Sequence, residues 1–301
     1  MNSGWIYREH VPRTADGLTV LDYYTQRYQH SSRAEWQSRI QAGQVLLSGV
    51  TTTIATRLVS GQELAYHRPP WQEPAVPLTF AVLHEDPDVL VVAKPAGLPV
   101  LPGGGFLEHT LLWQLQQRYP QDTPIPIHRL GRGTSGLLLL ARSPAVRAYL
   151  SQQMRGHHIR KTYRALVQGT AMRDHFTITQ PIGKQPYPVL GYVYGAHPEG
   201  AFAQSECKVL RRRADTTVLE VSILTGRPHQ IRIHLATAGY PLVGDPLYTI
   251  GGRPIAPPAQ GKLPVPGDCG YHLHAERLTL TQRSGAPLTV VCPPPTELTE
   301  S

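Results

Sequence analysis

The stretch IHRLGRGTSGLLLLARS, residues 127–143, constrains the fold of this chain more than any other. It joins a basic, glycine-rich loop directly to an apolar run at 137–141. Such a run predicts a buried β-strand, and loops at the ends of buried strands are where rigid scaffolds present functional groups. The centre of the loop, 130–133, offers Arg132 as its one ionisable group. Because arginine stays protonated, this centre supplies no nucleophile, acid or base.

Predicted strands and helices follow one another at irregular intervals through the larger part of the chain. Strands are predicted at 88–93, 137–141 and 161–167, and helices at 144–154, at 228–238 and from Thr110 to a stop at Pro120. This irregular order indicates a mixed α+β domain over residues 73–301 rather than a regular βαβ repeat.

The first 72 residues are predicted to form a separate small module, followed by a proline-rich linker at 67–78. Helical spacing at 18–24 and 33–40 precedes short β-prone runs around Ser48-Gly49. This order resembles the S4-type RNA-binding module, although Trp36 fills an aliphatic position and Gln62 replaces an aspartate. The matching positions are Ser32, Arg33, Ile40, Gly43, Val45, Gly49, Gly61 and Leu64. The alternative is a helical cap that packs on the larger domain.

The composition favours an acidic partner in the cytoplasm. The chain carries a formal charge of +8 over 301 residues, and its isoelectric point is about 9.5. Basic proteins bind nucleic acid because neutralising phosphates releases counterions, although charge also serves solubility alone. Three cysteines without a CxxC pair suit a reduced compartment, and the N-terminus lacks the pattern of a secretory signal. We expect a cytoplasmic monomer without membrane segments.

Four stretches combine polar chemistry with turn residues at the ends of apolar strands. They are Lys94-Pro95-Ala96-Gly97, His128 to Gly136, Lys161-Thr162-Tyr163 and Thr225 to Arg232. In this order, and with the later stretches at 239–248 and 273–275, they resemble the RluA-type pseudouridine synthases over residues 82–295. The resemblance implies a mixed α+β fold with mainly antiparallel sheets.

The resemblance also implies an activity, the isomerisation of uridine to pseudouridine in rRNA or tRNA, without cofactor or metal. Tyr163 matches the tyrosine that stacks on the target base, Arg129 the arginine that holds the flipped-out state, and Arg227 the arginine that pairs with a nucleophilic aspartate. We add His128, Arg132, Lys161 and Thr225 as substrate-binding residues. The spacing of Cys269, His272 and His274 matches no usual metal site.

The aspartate position itself holds Gly131, and Gly133 replaces a second acidic residue of the family motif, so that HRLGRGTSG stands where HRLD is usual. Three hypotheses follow. The chain is an active synthase that uses Asp86, Asp88 or Asp245 instead, or an RNA-binding pseudoenzyme with a structural or chaperone-like role. The third is a small-anion binder that uses arginines of the same loops, which the net charge and the S4-like module disfavour.

Two expectations test these hypotheses in the structure. Arg227 should point into a pocket without its family counter-ion, compensated by a backbone carbonyl, water, an anion or one of the three aspartates. A basic strip leading to Tyr163 should follow RNA. Its members are Arg155, His157, His158, Arg160, Lys161 and Arg164.

Overall fold

The computed structural model describes residues 1–170, 173–188, 190–256 and 263–300. The chain forms two compact units, one from residues 1–73 and 187–191 and the other from residues 74–186 and 192–301. Within the described ranges, no helix has both the length and the apolar character needed to cross a membrane.

The first unit places two helices on a small antiparallel sheet. Its elements are β1 (Trp5–His10), α1 (Val20–Arg27), α2 (Arg33–Gln41), β2 (Val45–Leu47), β3 (Val50–Thr51) and β4 (Glu63–Arg68). The strand order is β1-β4-β2-β3. Both predicted helices form, α1 being displaced toward its C-terminus. The strand β1 has no sequence signal, because its exposed residues lack the alternation of a half-buried strand.

Local chemistry explains where α2 begins and what it buries. Ser32 and Glu35 form a capping box, in which each side chain binds the other residue's backbone N–H. Trp36 is buried and packs on Tyr24 at a ring distance of 4.6 Å. Part of the predicted linker is held in place, because Glu73, which lies within it and is buried, accepts a 2.7 Å hydrogen bond from Asn2.

The remaining elements form one large sheet with its helices, together with a separate two-stranded sheet. They are β5 (Ala81–Glu85), β6 (Val89–Lys94), α3 (Leu111–Arg118), β7 (Ile125–Pro126), β8 (Ser135–Ala141), α4 (Pro144–Arg155), β9 (Arg160–Gln168), β10 (His175–Ile178), β11 (Ile182–Tyr187), β12 (Gly191–Ala196), β13 (Ser205–Arg212), β14 (Thr216–Ile223), α5 (Gln230–Thr237), β15 (Leu273–Thr281) and β16 (Pro287–Val291). β11 and β12 pair as the separate two-stranded sheet, and the main order of the large sheet is β10-β13-β14-β9-β15-β8-β6-β5. Pairing is antiparallel except between β15 and β8, so the mixed, mainly antiparallel α+β fold is confirmed.

The leucine run of the opening stretch lies at the centre of this sheet. Residues 137–141 of β8 are at most 2% exposed, as predicted. β8 begins against β15, where Gly136 has a φ of +100° and a Cβ would overlap the backbone of Ala275. Only glycine permits this approach. The loop before β8 is thereby held beside the start of β15.

The helices of the second unit begin at capping residues that the sequence marks. Thr110 and Ser143 cap α3 and α4 through their hydroxyls, and Pro144 occupies the first turn of α4. The predicted helix at 228–238 begins later, at Gln230, because His229 adopts a left-handed conformation with a φ of 54°. The residues before it therefore form a loop.

We predict that residues 74–301 fold without residues 1–73. The main core of the second unit draws on residues 89–292, and that of the first unit on residues 11–66, so the two cores share no member. A purified 74–301 fragment should unfold cooperatively and keep its β-sheet circular dichroism. An insoluble or non-cooperative fragment would show that the first unit is needed to cover the second.

Candidate functional site

Two adjoining cavities open where the loop before β8, the strand β9, the loop after β14 and the start of β15 meet. The smaller has a volume of about 100 Å³ and the larger about 560 Å³. Both are lined by Arg129, Tyr163, Ile223 and Arg227. Gly131 and Tyr271 line the smaller cavity, and His128, Lys161 and Thr225 line the larger. Residues that the sequence predicts to act together are therefore neighbours.

A buried ammonium group positions the loop that carries Gly131. Lys94 is 1% exposed, and its Nζ donates to the carbonyls of Pro95 (2.8 Å), Leu98 (2.9 Å) and Arg132 (3.2 Å). Burial lowers the pKa of Lys94 to about 7, while the three carbonyl acceptors favour its charged form. The Lys-Pro turn thus serves as the support of the glycine loop.

Arg132 does not reach the cavities, contrary to the prediction that it binds substrate. Its Nε donates to the carbonyl of Gly267 at 2.6 Å, and its guanidinium lies 5.2 Å from the ring centre of Phe106. The side chain is drawn away by a segment 135 residues further along the chain. The position within a basic loop gave no sign of this partner.

Arg227 meets a backbone carbonyl, which is one of the expected alternatives. Its Nε donates to Phe202 at 2.9 Å. The side chain is exposed, as is that of Arg129, so the expected penalty for a buried unpaired guanidinium does not arise. Both arginines stay available to an anionic ligand.

The three aspartates considered as substitutes are engaged elsewhere. Asp245 is 1% exposed in its side chain and forms two 2.7 Å bonds with Arg232. Asp86 accepts from the backbone N–H groups of Asp88 and Val89, and Asp88 lies 3.9 Å from Arg283. Among the described residues that line the two cavities, none is an aspartate or a glutamate. The structure therefore brings none of these three aspartates into the lining of either cavity.

The strand β9 presents its two faces differently, which divides the predicted basic strip. Tyr163 is 6% exposed, and burial raises the pKa of its hydroxyl. Lys161, on the same face, lies with its Nζ 3.3 Å from the sulfur of Met154. Arg164 faces the other way and pairs with Glu276 at 2.7 Å and Glu300 at 2.9 Å. Arg164 is therefore a structural residue and not part of an RNA track.

Arg155 and His157 complete the basic lining of the larger cavity, while Arg160 is exposed but lines neither cavity. Alternation along a strand explains this result, since residues two apart share a face. The strip is thus reduced to residues that flank Tyr163 on the cavity side.

Thr225 supports the loop after β14 rather than facing the cavity freely. Its hydroxyl donates to Gln230 Oε1 at 2.7 Å and accepts from the backbone N–H of Gln204 at 3.0 Å. The same Gln230 oxygen accepts from the backbone N–H of Arg227 at 3.0 Å. These bonds engage Thr225 in positioning Arg227, and since Thr225 also lines the larger cavity, its role in substrate binding stays a prediction.

The two histidines of these loops are neutral and hydrogen-bonded. His128 Nε2 accepts a 3.2 Å hydrogen bond from the backbone N–H of Leu139, and His229 Nδ1 lies 2.7 Å from the hydroxyl of Tyr248. Burial lowers the pKa of each to about 3. Neither is charged near neutral pH, so the positive charge of the site comes from arginine and lysine.

The residue that sequence reasoning missed is Tyr271. It is 5% exposed and lines the smaller cavity beside Gly131. A Cβ built on Gly131 would lie 2.7 Å from the Tyr271 hydroxyl oxygen. The sequence signal was a tyrosine just before the stretch at 273–275 that takes part in the family resemblance, with nothing to connect it to a loop 140 residues earlier.

Comparisons with known proteins agree on one family of relatives. A family model described as RNA pseudouridylate synthase matches residues 88–237. An uncharacterized RNA pseudouridine synthase of Synechocystis sp. is 50% identical over 278 residues, which cover 91% of this chain and 94% of that protein. RNA pseudouridine synthase 5 of Arabidopsis thaliana is 39% identical over 329 residues, covering 93% and 89%.

A bacterial relative and a solved structure extend this agreement. A ribosomal large subunit pseudouridine synthase D of Xanthomonas campestris is 33% identical over 304 residues, covering 96% of this chain and 89% of that protein. The solved structure of human RNA pseudouridylate synthase domain containing 1 has a TM-score of 0.58 at 24% identity, covering 76% of this chain and 89% of that one. This likeness supports the fold.

The neutral state of His128 predicts a pH dependence of stability. The pKa of His128 is about 3 in the folded chain and 6.5 in the unfolded chain, so His128 takes up a proton on unfolding when the pH lies between these two values. The free energy of unfolding should therefore fall as the pH falls from 6.5 toward 3, by at most about 1.4 kcal/mol per pH unit for this group.

His128→Gln, which keeps an acceptor for the Leu139 N–H, should make this fall less steep in urea unfolding. His175→Gln, at an exposed position of β10, is the matched control and should leave the slope unchanged. Equal slopes for His128→Gln and the unmodified chain would contradict a neutral His128 in the folded state.

Proposed function

The chain belongs to the RNA pseudouridylate synthase family, of the RluA type, and we propose that it isomerises a uridine of rRNA or tRNA to pseudouridine. The observation that carries this proposal is the meeting of Arg129, Tyr163 and Arg227 in one cavity. These positions come from three separate segments and match three functional positions of the family motifs. Relatives that span nearly the whole chain support it.

The reaction requires the nucleotide to leave its stack. Extrusion costs a few kcal/mol, which an aromatic face and cationic contacts offset. Tyr163 offers the ring, while Arg129 and Arg227 offer exposed guanidinium groups to the flanking phosphates. In the conversion the bond from C1′ to N1 breaks, a bond from C1′ to C5 forms, and the hydrogen on C5 is released as N1 gains one.

A second candidate function is RNA binding without isomerisation. It is favoured by the absence of a carboxylate among the described lining residues and by the tyrosine beside Gly131. In this alternative the cavity holds a nucleotide, and the chain has a structural or chaperone-like role. Losing a positioned nucleophile normally costs several orders of magnitude in rate.

Tritium release separates the two candidates. RNA labelled with [5-³H]uridine loses its label to water when C5 forms the new bond. We expect release by the unmodified chain from total RNA of cells that lack the gene, and a decrease of at least about tenfold for Tyr163→Ala and Arg227→Ala. The control Arg212→Ala alters an arginine paired with Asp174 and should release label normally. Binding without any release would establish the second candidate.

RNA affinity should depend steeply on salt, because phosphate contacts release counterions. Arg129→Ala and Arg155→Ala should each reduce the slope of log Kd against log salt by about one, while Arg212→Ala should not. Filter binding between 50 and 200 mM salt, roughly the range in which such contacts lose most affinity, measures this. A slope that all three changes leave intact would place the RNA elsewhere.

We further propose that the first unit is an S4-like RNA-binding module. Its support is the pair of helices on a short-stranded sheet, with the capping box at Ser32 at the predicted helix start. The 74–301 fragment should therefore bind RNA more weakly than the full chain while it remains folded. Unchanged affinity of a folded fragment would favour the alternative of a packing cap.

A further inference from the structure

The space that a side chain at position 131 would occupy is filled by Tyr271. A Cβ on Gly131 would lie 2.7 Å from the tyrosine oxygen, and a Cβ on Gly133 would lie 2.9 Å from two carbons of the same ring. Contacts under 3.0 Å require something to move, and the ring is held on several sides. Tyr271 therefore leaves no room for a side chain at position 131 or 133 unless neighbouring atoms move.

Tyr271 is fixed in place by charged and polar neighbours. The guanidinium of Arg232 lies 4.3 Å from its ring centre, and Arg232 is itself bound to Asp245 by two 2.7 Å bonds. The tyrosine oxygen is 3.3 Å from the hydroxyl oxygen of Thr134. The ring thus packs against the Arg232 guanidinium, and its hydroxyl lies beside Thr134 and Gly131 at the wall of the smaller cavity.

We propose that Tyr271 takes the place of the family's nucleophilic carboxylate and that its hydroxyl contacts the nucleotide bound in the cavity. This inference rests on the proposed function for the identity of the ligand, a uridine in RNA. A phenol hydroxyl donates a hydrogen bond, and the acceptor it would meet is a carbonyl of uracil, which adenine lacks.

The electrostatics around the phenol agree with this role. Burial raises the pKa of Tyr271, whereas Arg232 and the hydrogen bond with Thr134 act in the opposite direction. The group is thus a neutral hydrogen-bonding partner near pH 7 rather than a phenolate. A neutral partner suits an uncharged base or sugar, while the exposed arginines at the rim suit the phosphates.

A double-mutant cycle tests the steric replacement without any assumption about the ligand. Gly131→Ala should lower the urea midpoint of unfolding in the unmodified chain and lower it much less in the Tyr271→Phe background, because the clashing oxygen is gone. Gly133→Ala is the control, since its two shortest contacts, at 2.9 Å, are with ring carbons that phenylalanine keeps, and its contact with the hydroxyl oxygen is longer, at 3.2 Å. Its effect should therefore change less between the two backgrounds than that of Gly131→Ala. Additive effects of Gly131→Ala and Tyr271→Phe would overturn the replacement.

A binding experiment tests the contact with the nucleotide. Tyr271→Phe should weaken binding of a uridine 12-mer about five- to tenfold, the value of one hydrogen bond, and leave binding of an adenosine 12-mer unchanged. Tyr149→Phe is the control, because its hydroxyl donates to the carbonyl of Gln282 and lines neither cavity. Equal uridine binding by Tyr271→Phe and the unmodified chain, while Tyr163→Ala weakens it, would overturn the contact.

Failure of the proposed function has a different signature. If the unmodified chain neither binds uridine RNA nor releases tritium, both the proposed function and the nucleotide contact are wrong. Non-additive effects of Gly131→Ala and Tyr271→Phe on stability would still support the conclusion that Tyr271 fills the space at position 131. Additive effects of Gly131→Ala and Tyr271→Phe on stability, together with tritium release, would instead support the proposed function and overturn the conclusion that Tyr271 fills the space at position 131.

Discussion

The bidentate pair between Arg232 and Asp245 is the interaction on which the wall of the site depends. The two side chains are 3% and 1% exposed, and Asp245 also accepts from the backbone N–H groups of Leu247 and Tyr248. Removing either partner would leave a buried charge, which typically costs about 3–5 kcal/mol. The pair joins the start of α5 to the segment before residue 248 and holds the guanidinium against Tyr271. Both carboxylate oxygens of Asp245 are thus engaged in this support.

The glycine loop is supported from its other side by Lys94, through backbone carbonyls instead of side chains. Carbonyl acceptors do not depend on residue type, so this support fixes the path of the loop whatever residue stands at positions 131 and 133. The backbone of the site is therefore preserved while the central side chain is lost. This separation explains how a chain can retain the arginines and the tyrosine of the cavity without a carboxylate among its described lining residues.

The sequence predicted the parts of the structure that local patterns determine. Apolar runs and capping residues located β8, α3 and α4, and the order of strand-end loops placed Arg129, Tyr163 and Arg227 together. The errors concern partners from distant segments. Arg132 turns to a carbonyl 135 residues away, and Arg164 to Glu276, 112 residues away. Spacing along the chain carries no information about such partners. The sequence therefore could not show which basic side chains near a motif face the cavity and which form structural contacts.

The same reasoning applies to the missing nucleophile. In the sequence, Gly131 only shows that the side chain of the family's aspartate is absent. A void left in its place in a packed wall would lower stability in proportion to the volume of the void. In the structure the space is occupied, because a tyrosine 140 positions later extends into it. The missing side chain at position 131 and the tyrosine that fills its volume therefore depend on each other, because a closely packed wall has no room for both. An aspartate restored at position 131 alone would meet the Tyr271 oxygen before it could reach Arg227. The charge pair that the sequence suggests can therefore be rebuilt only by changing both positions.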